Sequence, residues 1–157
     1  MTPEPGSDRP SSLANAAPAL LAPPARVLVV EDDESVADVL REVLNGEPYE
    51  LLFADTAETA MSLIATDCPD LILTDISLPG KSGLDVMRHA RALDPEVAVI
   101  LMTGHVSVQT AIDALRQGAS DFITKPFEDI GDVLKTVSRH LGTRRLKVEN
   151  RSLLEQL

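Results

Sequence analysis

From residue 26 onward, short apolar runs alternate with stretches of helical spacing, and few folds accept that pattern. The runs are RVLVV (26–30), ELLFA (50–54), DLILT (70–74), VAVILM (97–102) and DFIT (121–124), five candidate strands. Between them apolar residues recur at helical intervals, as at Val36, Val39, Leu40, Val43 and Leu44, and again at Ile112 and Leu115. Helices are expected near 34–45, 57–66, 83–93, 106–117 and 127–141. Strict strand-helix alternation implies parallel strands joined by right-handed crossovers, with helices on both faces of the sheet. Strands 1, 3 and 4 are nearly all aliphatic, as doubly covered strands should be. Thr56 fits a helix N-cap, with Thr59 where a capping box would take Glu or Gln, and Gly118 fits a C-cap.

Residues 1–25 differ in kind. They hold six of the eleven prolines along with Ser, Ala and Gly, a composition that resists regular structure, so a disordered N-terminal tail is expected there. The stretch LANAAPALLA (13–22) is interrupted by Pro18 and preceded by Glu4, Asp8 and only Arg9, a poor secretion signal. No apolar run approaches the roughly 18 residues a membrane helix needs. The single cysteine, Cys68, has no partner for an internal disulfide, which fits a reducing, cytoplasmic setting. A net charge of -11 and only 3% aromatic residues, with no Trp, argue against nucleic-acid binding by this chain. The charge is uneven: 21 acidic against 8 basic residues in 26–138, then 5 basic against 2 acidic in 139–157.

In open parallel α/β sheets, ligands bind outside the carboxyl ends of the strands, where the winding reverses. Strand 1 is followed by EDDE (Glu31 to Glu34), strand 3 by Asp75, strand 4 by Thr103 and strand 5 by Lys125. Carboxylates gathered in one crevice repel by several kcal/mol at about 4 Å and an effective dielectric near 20, so a positive partner is required. The donors are hard oxygens, with no His or Cys placed to join them, which suits Mg²⁺ better than zinc. A lysine and a threonine hydroxyl facing the same point complete a phosphoryl-binding site. In that setting Asp75 can serve as a nucleophile toward phosphorus. LPG (78–80) and Gly83 supply a tight loop that brings backbone groups to the metal, through the carbonyl of Ser77. Taken singly, each residue has a plainer role: an acidic first turn for Glu31 to Glu34, a turn starter for Asp75, a surface lysine for Lys125. Four strand ends with complementary chemistry make those separate roles hard to sustain together.

These segments resemble the receiver domain of two-component response regulators. VLVVEDDESV, DLILTDISLPGKSGLDVM, VILMTGH and GASDFITKPF follow that family's signature segments in order and spacing across residues 26 to about 141. The resemblance implies a flavodoxin-like doubly wound five-stranded parallel sheet of order 2-1-3-4-5. It makes Asp75 the phosphoacceptor, Asp32 a direct Mg²⁺ ligand, Glu31 a ligand through metal-bound water and the Ser77 carbonyl the remaining protein ligand. Thr103 becomes the switch hydroxyl, Lys125 the phosphate-pairing cation before a cis bond to Pro126, and Phe122 the aromatic switch residue. Asp33 and Glu34 fall outside the site as helix-cap charges. His105 occupies a position that affects attacking water, whereas His89 and His140 are expected on helix surfaces. The partner implied is a histidine kinase or phosphotransfer protein, with the domain catalysing its own modification. Output is expected from the face of helix 4, strand 5 and helix 5, by way of dimerisation or a downstream domain such as a transcription activator.

After helix 5 the sequence expects an interruption at Gly142, dividing the receiver (26–141) from a helical linker (142–157). In TRRLKVENRSLLEQL, residues Leu146, Asn150, Leu153 and Leu157 step by 4, 3 and 4, a two-heptad seam with Asn at a core position, which suggests a parallel homodimer. A Mg-dependent aspartate-nucleophile phosphatase is the main competing reading, but such enzymes place the nucleophile after the first strand. A flavin carrier on the same sheet would want Ser, Thr and Gly after strand 1, where EDDESV would repel its phosphate.

Overall fold

The computed structural model describes residues 23–104 and 108–157. The expected tail (1–25, apart from 23–25) and His105 lie outside the described residues. Five strands, β1 (Arg26–Val30), β2 (Glu50–Ala54), β3 (Leu71–Asp75), β4 (Ala98–Thr103) and β5 (Asp121–Thr124), alternate with five helices. These are α1 (Glu34–Leu44), α2 (Ala57–Asp67), α3 (Gly83–Leu93), α4 (Val108–Arg116) and α5 (Ile130–Glu155). All pairings are parallel and the order is β2-β1-β3-β4-β5, the flavodoxin-like arrangement expected from the sequence.

The period-two alternation of a strand splits the aliphatic residues between two cores. Leu28, Val30, Ile72, Val99 and Leu101 pack with α2 and α3, while Val27, Val29, Leu71, Leu73, Ile100 and Met102 pack with α1 and α5. Each such side chain, fully withdrawn from water, contributes about 1.5–3 kcal/mol before ordering costs. Burial on both faces also removes any freedom of register, because a one-residue slip would exchange the two cores. The strand ends, and whatever they carry, are therefore fixed in space.

Local signals behave as expected at most helix ends. Thr56 Oγ1 accepts from the Thr59 amide at 3.1 Å and caps α2. Asp33 caps α1 by accepting from the amides of Ser35 and Val36. Gly118 takes a positive φ of 115° just past α4. Helix α5 starts later than expected because Asp129 caps it, accepting from the Gly131 amide at 2.8 Å.

Two expectations fail. Helix α5 does not break at Gly142 but runs through it for 26 residues. A glycine inside a helix costs about 1 kcal/mol relative to alanine, and contacts made beyond it outweigh that cost. The histidines are also not simple surface residues: His89 is half-buried, and His140, with 17% of its side chain exposed, lies 2.9 Å from Asp121 Oδ2.

Gly83 has a purpose the sequence reading assigned differently. A Cβ there would stand 2.1 Å from the carbonyl oxygen of Asp75, so α3 can start this close to the end of β3 only with glycine. The Gly83 amide donates to the Ile76 carbonyl at 2.8 Å across that contact. Gly83→Ala should therefore lower stability in urea unfolding by about 3 kcal/mol. Gly142→Ala, with no atom within 4 Å of the added methyl, should raise it by about 0.5–1 kcal/mol. An unchanged midpoint for the first substitution would mean the β3–α3 backbone yields to the methyl group.

Candidate functional site

The sheet reverses its winding at β1, which pairs with β2 on one side and β3 on the other. The carboxyl ends of β1 and β3 consequently open into one crevice. Glu31 follows β1 directly, and its amide donates to the Ala54 carbonyl at 3.0 Å, which continues the β1–β2 ladder by one residue. Asp75 is the last residue of β3 itself, which runs one residue further than the expected 70–74. Both are buried, at 4% and 6% exposure, whereas Asp32 is exposed. Carboxylate oxygens of Glu31, Asp32 and Asp75 lie within 4.8 Å of one another.

Lys125 makes this arrangement tolerable. Its Nζ donates at 2.6 Å to Glu31 Oε1 and at 2.6 Å to Asp75 Oδ2. The remaining oxygens are also engaged: Asp75 Oδ1 accepts from the Ser77 amide at 2.9 Å, and Glu31 Oε2 from the Asp33 amide at 3.3 Å. Burial pushes the Glu31 pKa up, and the neighbouring Asp75 charge adds to the rise, against the opposing pull of Lys125. Burial pulls Lys125 down, but its hydrogen bonds to Asp75 and Glu31 outweigh burial and hold its pKa above the ordinary lysine value. One ammonium against three carboxylates leaves the cluster with a formal charge of about -2. An all-oxygen donor set with that residual charge fits a hard divalent cation such as Mg²⁺.

Thr103 ends β4 half-buried, and its carbonyl accepts from the Lys125 amide at 2.8 Å, so the two residues share a backbone link. The Lys125–Pro126 peptide is cis. Phe122 stands apart from the carboxylate cluster, half-buried against the core that contains α2 and α3. Glu34 begins α1 outside the cluster, in its first turn.

Thr74 went unremarked in the sequence reading. It is fully buried within β3, and its hydroxyl donates to the Asp75 carbonyl at 3.0 Å, the same oxygen that Gly83 skirts. A lone polar residue inside an aliphatic strand was the available signal, because a buried hydroxyl needs a partner.

Comparison with known proteins agrees with this fold. The response regulator receiver domain model matches residues 27–138, and the chain belongs to that family. It is 36% identical over 128 residues to the C4-dicarboxylate transport transcriptional regulatory protein DctD of Pseudomonas aeruginosa, covering 82% of this chain and 28% of that protein. It is 35% identical over 132 residues to the regulatory protein AtoC of Escherichia coli, covering 84% of this chain and 28% of that one. The chain thus spans just over a quarter of the length of these curated relatives. Among solved structures, the receiver domain of NtrX from Brucella abortus is 34% identical, with a TM-score of 0.69 over 74% of this chain and 98% of that one. No helix among the described residues is long and apolar enough to cross a membrane.

The raised Glu31 pKa carries a sign. A carboxyl whose folded pKa exceeds its unfolded one contributes stability below the unfolded value, and that contribution is lost as pH rises through the folded value. Without divalent ions, Glu31→Gln should therefore melt a few degrees above wild type at neutrality, the gap closing toward pH 4.5. Millimolar Mg²⁺ should raise the wild-type Tm and raise the variant's less. Equal melting of the two proteins at neutrality, with and without Mg²⁺, would contradict the charge balance described.

Proposed function

We propose that the chain is a phosphorylatable receiver in which Asp75 accepts a phosphoryl group from a partner's phosphohistidine. The observation that carries this reading is the placement of Asp75: rigid at the end of a doubly buried strand, beside two further carboxylates, with a lysine already at 2.6 Å. In the transfer, an Asp75 carboxylate oxygen forms the new bond to phosphorus as the phosphorus–nitrogen bond breaks, and the electron pair returns to the departing imidazole, which takes up a proton. Lys125 offers its positive charge to the phosphoryl oxygens, and Thr103 offers a hydroxyl from the end of the adjoining strand. The Ser77 amide orients the carboxylate. Mg²⁺, held by Glu31, Asp32, Asp75 and the Ser77 carbonyl, would supply further positive charge to the transferring group. Water later hydrolyses the acyl phosphate and regenerates Asp75.

Phosphorylation would draw Thr103 and Lys125 toward the new charge and shift the face formed by α4, β5 and α5, where Phe122 would turn inward and Ile112 and Leu115 are exposed. That face, or residues 143–157, would mediate pairing with a second copy. Residues 26–141 would form the receiver and 142–157 the link to an output function in the cytoplasm, consistent with relatives described as transcriptional regulatory proteins. A phosphatase of the aspartate-nucleophile type is disfavoured because Asp75 ends the third strand rather than the first.

Incubation with acetyl phosphate and Mg²⁺ should add one phosphoryl group by intact mass, and Asp75→Ala should abolish it. Lys125→Ala should slow the reaction about 10²-fold. A phosphoryl gain that survives Asp75→Ala would overturn the assignment. If residues 143–157 pair, light scattering should show a dimer that is lost when they are removed.

A further inference from the structure

Helix α5 continues well past the last core residue it supplies. Val133 and Val137 are buried and Leu134 and Leu141 half-buried, but beyond Leu141 only Gly142, Arg144 and Val148 are even half-buried. What fastens this extension is charge. Arg144, with 16% of its side chain exposed, donates from Nε to Asp70 Oδ1 at 3.2 Å and places Nη2 3.0 Å from Asp94 Oδ2. Two turns on, Arg151 Nη1 lies 3.3 Å from Glu96 Oε2.

The receiving carboxylates are themselves anchored. Asp70 Oδ2 accepts from the Arg26 amide at 2.8 Å, the Asp70 amide donates to the Arg26 carbonyl at 2.9 Å, and its carbonyl accepts from the Ala98 amide at 3.2 Å. It is therefore tied to the first residues of both β1 and β4. Asp94 closes the last turn of α3, and its Oδ1 accepts from the Glu96 amide at 3.0 Å. The guanidinium fork thus bridges the start of β3 and the α3–β4 turn, two places at the end of the sheet remote from Asp75.

The spacing on α5 gives the bridge a consequence. Val137, Leu141, Arg144, Val148 and Arg151 step by 4, 3, 4 and 3 along one face, the face toward the receiver body. Leu146, Asn150, Leu153 and Leu157 step by 4, 3 and 4 along another, and at 3.6 residues per turn the two stripes lie about half a turn apart. Leu146, Leu153 and Leu157 are 64%, 62% and 101% exposed. Docking on the body and pairing through the leucine seam do not compete for the same residues.

We propose that Arg144 is a positioning residue: it makes the helix beyond Gly142 a fixed extension of the receiver and sets the direction in which the Leu146–Asn150–Leu153–Leu157 seam faces a second copy. The pairing part rests on the dimer reading given above; the docking part does not. Lysine is a poor replacement for arginine here, because Arg144 reaches Asp70 through Nε and Asp94 through Nη2, and one ammonium does not reproduce that fork.

The test is amide hydrogen exchange in a Leu153→Glu background, which removes seam pairing so that protection reports docking alone. Arg144→Gln should speed exchange in residues 145–155 at least tenfold while leaving β1, β3 and β4 unchanged, Arg144→Lys should restore little of the loss, and Asp94→Asn should mimic part of it. Unchanged exchange in 145–155 would overturn the proposal. So would equal loss in the strands, which would make Arg144 a general stabiliser, or full recovery with lysine. Light scattering on the chain without the Leu153 substitution decides pairing separately: a monomer there sinks the dimer reading and leaves the exchange result standing.

Discussion

Lys125 reaches from beyond β5 to within 2.6 Å of both Glu31 and Asp75, and that ammonium offsets much of the cost of holding two buried carboxylates in one crevice. The cost of withdrawing a charge from water is several kcal/mol, repaid only by close opposite charge and satisfied hydrogen bonds. Both acids meet the second condition as well, through the amides of Asp33 and Ser77. The strand order makes this geometry available. Glu31 and Asp75 come from adjacent strands, while Lys125 comes from the sheet edge, two strands beyond β3. A side chain with four methylenes is needed to cover that span. The compensation is still incomplete, since one lysine faces three carboxylates, and the remaining negative charge is what a divalent cation would balance.

Most of this was legible in the sequence because the relevant signals are local. Aliphatic runs of about five residues announce doubly covered strands, and the residue following each run announces what the crevice will contain. Asp75, Lys125 and the acidic run Glu31 to Glu34 could be named from position alone, as could the cap at Thr56; the family resemblance singled out Glu31 and Asp32 within that run and left Asp33 to the helix cap. What escaped depends on contacts between distant segments. Thr74 sits inside an aliphatic run and gains meaning only from the carbonyl it meets. Gly83 looked like loop flexibility but is a steric requirement set by the Asp75 carbonyl 2.1 Å from its absent Cβ. Gly142 looked like a helix terminator, as its intrinsic propensity suggests, until Arg144 and Arg151 found carboxylates 74 and 55 positions earlier in the chain, at Asp70 and Glu96. Local propensity is a weak prior when tertiary contacts oppose it.

The two ends of the sheet are built on opposite principles. At the carboxyl end, acids outnumber the base and the imbalance leaves the site unsatisfied. At the amino end, Arg144 of α5 meets Asp70 and Asp94, whose carboxylates each also accept from a backbone amide, and Arg151 meets Glu96. A crevice with excess carboxylate charge can take up a positive group, whereas the amino end spends two arginines on holding a helix against the sheet. The same residue types therefore produce a crevice of excess negative charge at one end and a fastening at the other.

A ligand or modification shifts a conformational equilibrium only by as much as it interacts differently with the two states. In the resting crevice the ammonium of Lys125 is shared between two carboxylates of one charge each. A phosphoryl group on Asp75 would present nearly two negative charges and three acceptor oxygens at the same place, so Lys125 would bind it more strongly than it binds Glu31. Its departure from Glu31 would not be confined to the side chain, because the Lys125 amide already donates to the carbonyl of Thr103. Any competition between Glu31 and a phosphoryl group for that one ammonium would thereby be coupled to the ends of β4 and β5, and the free energy available for switching would be set by how much Lys125 prefers the second partner to the first.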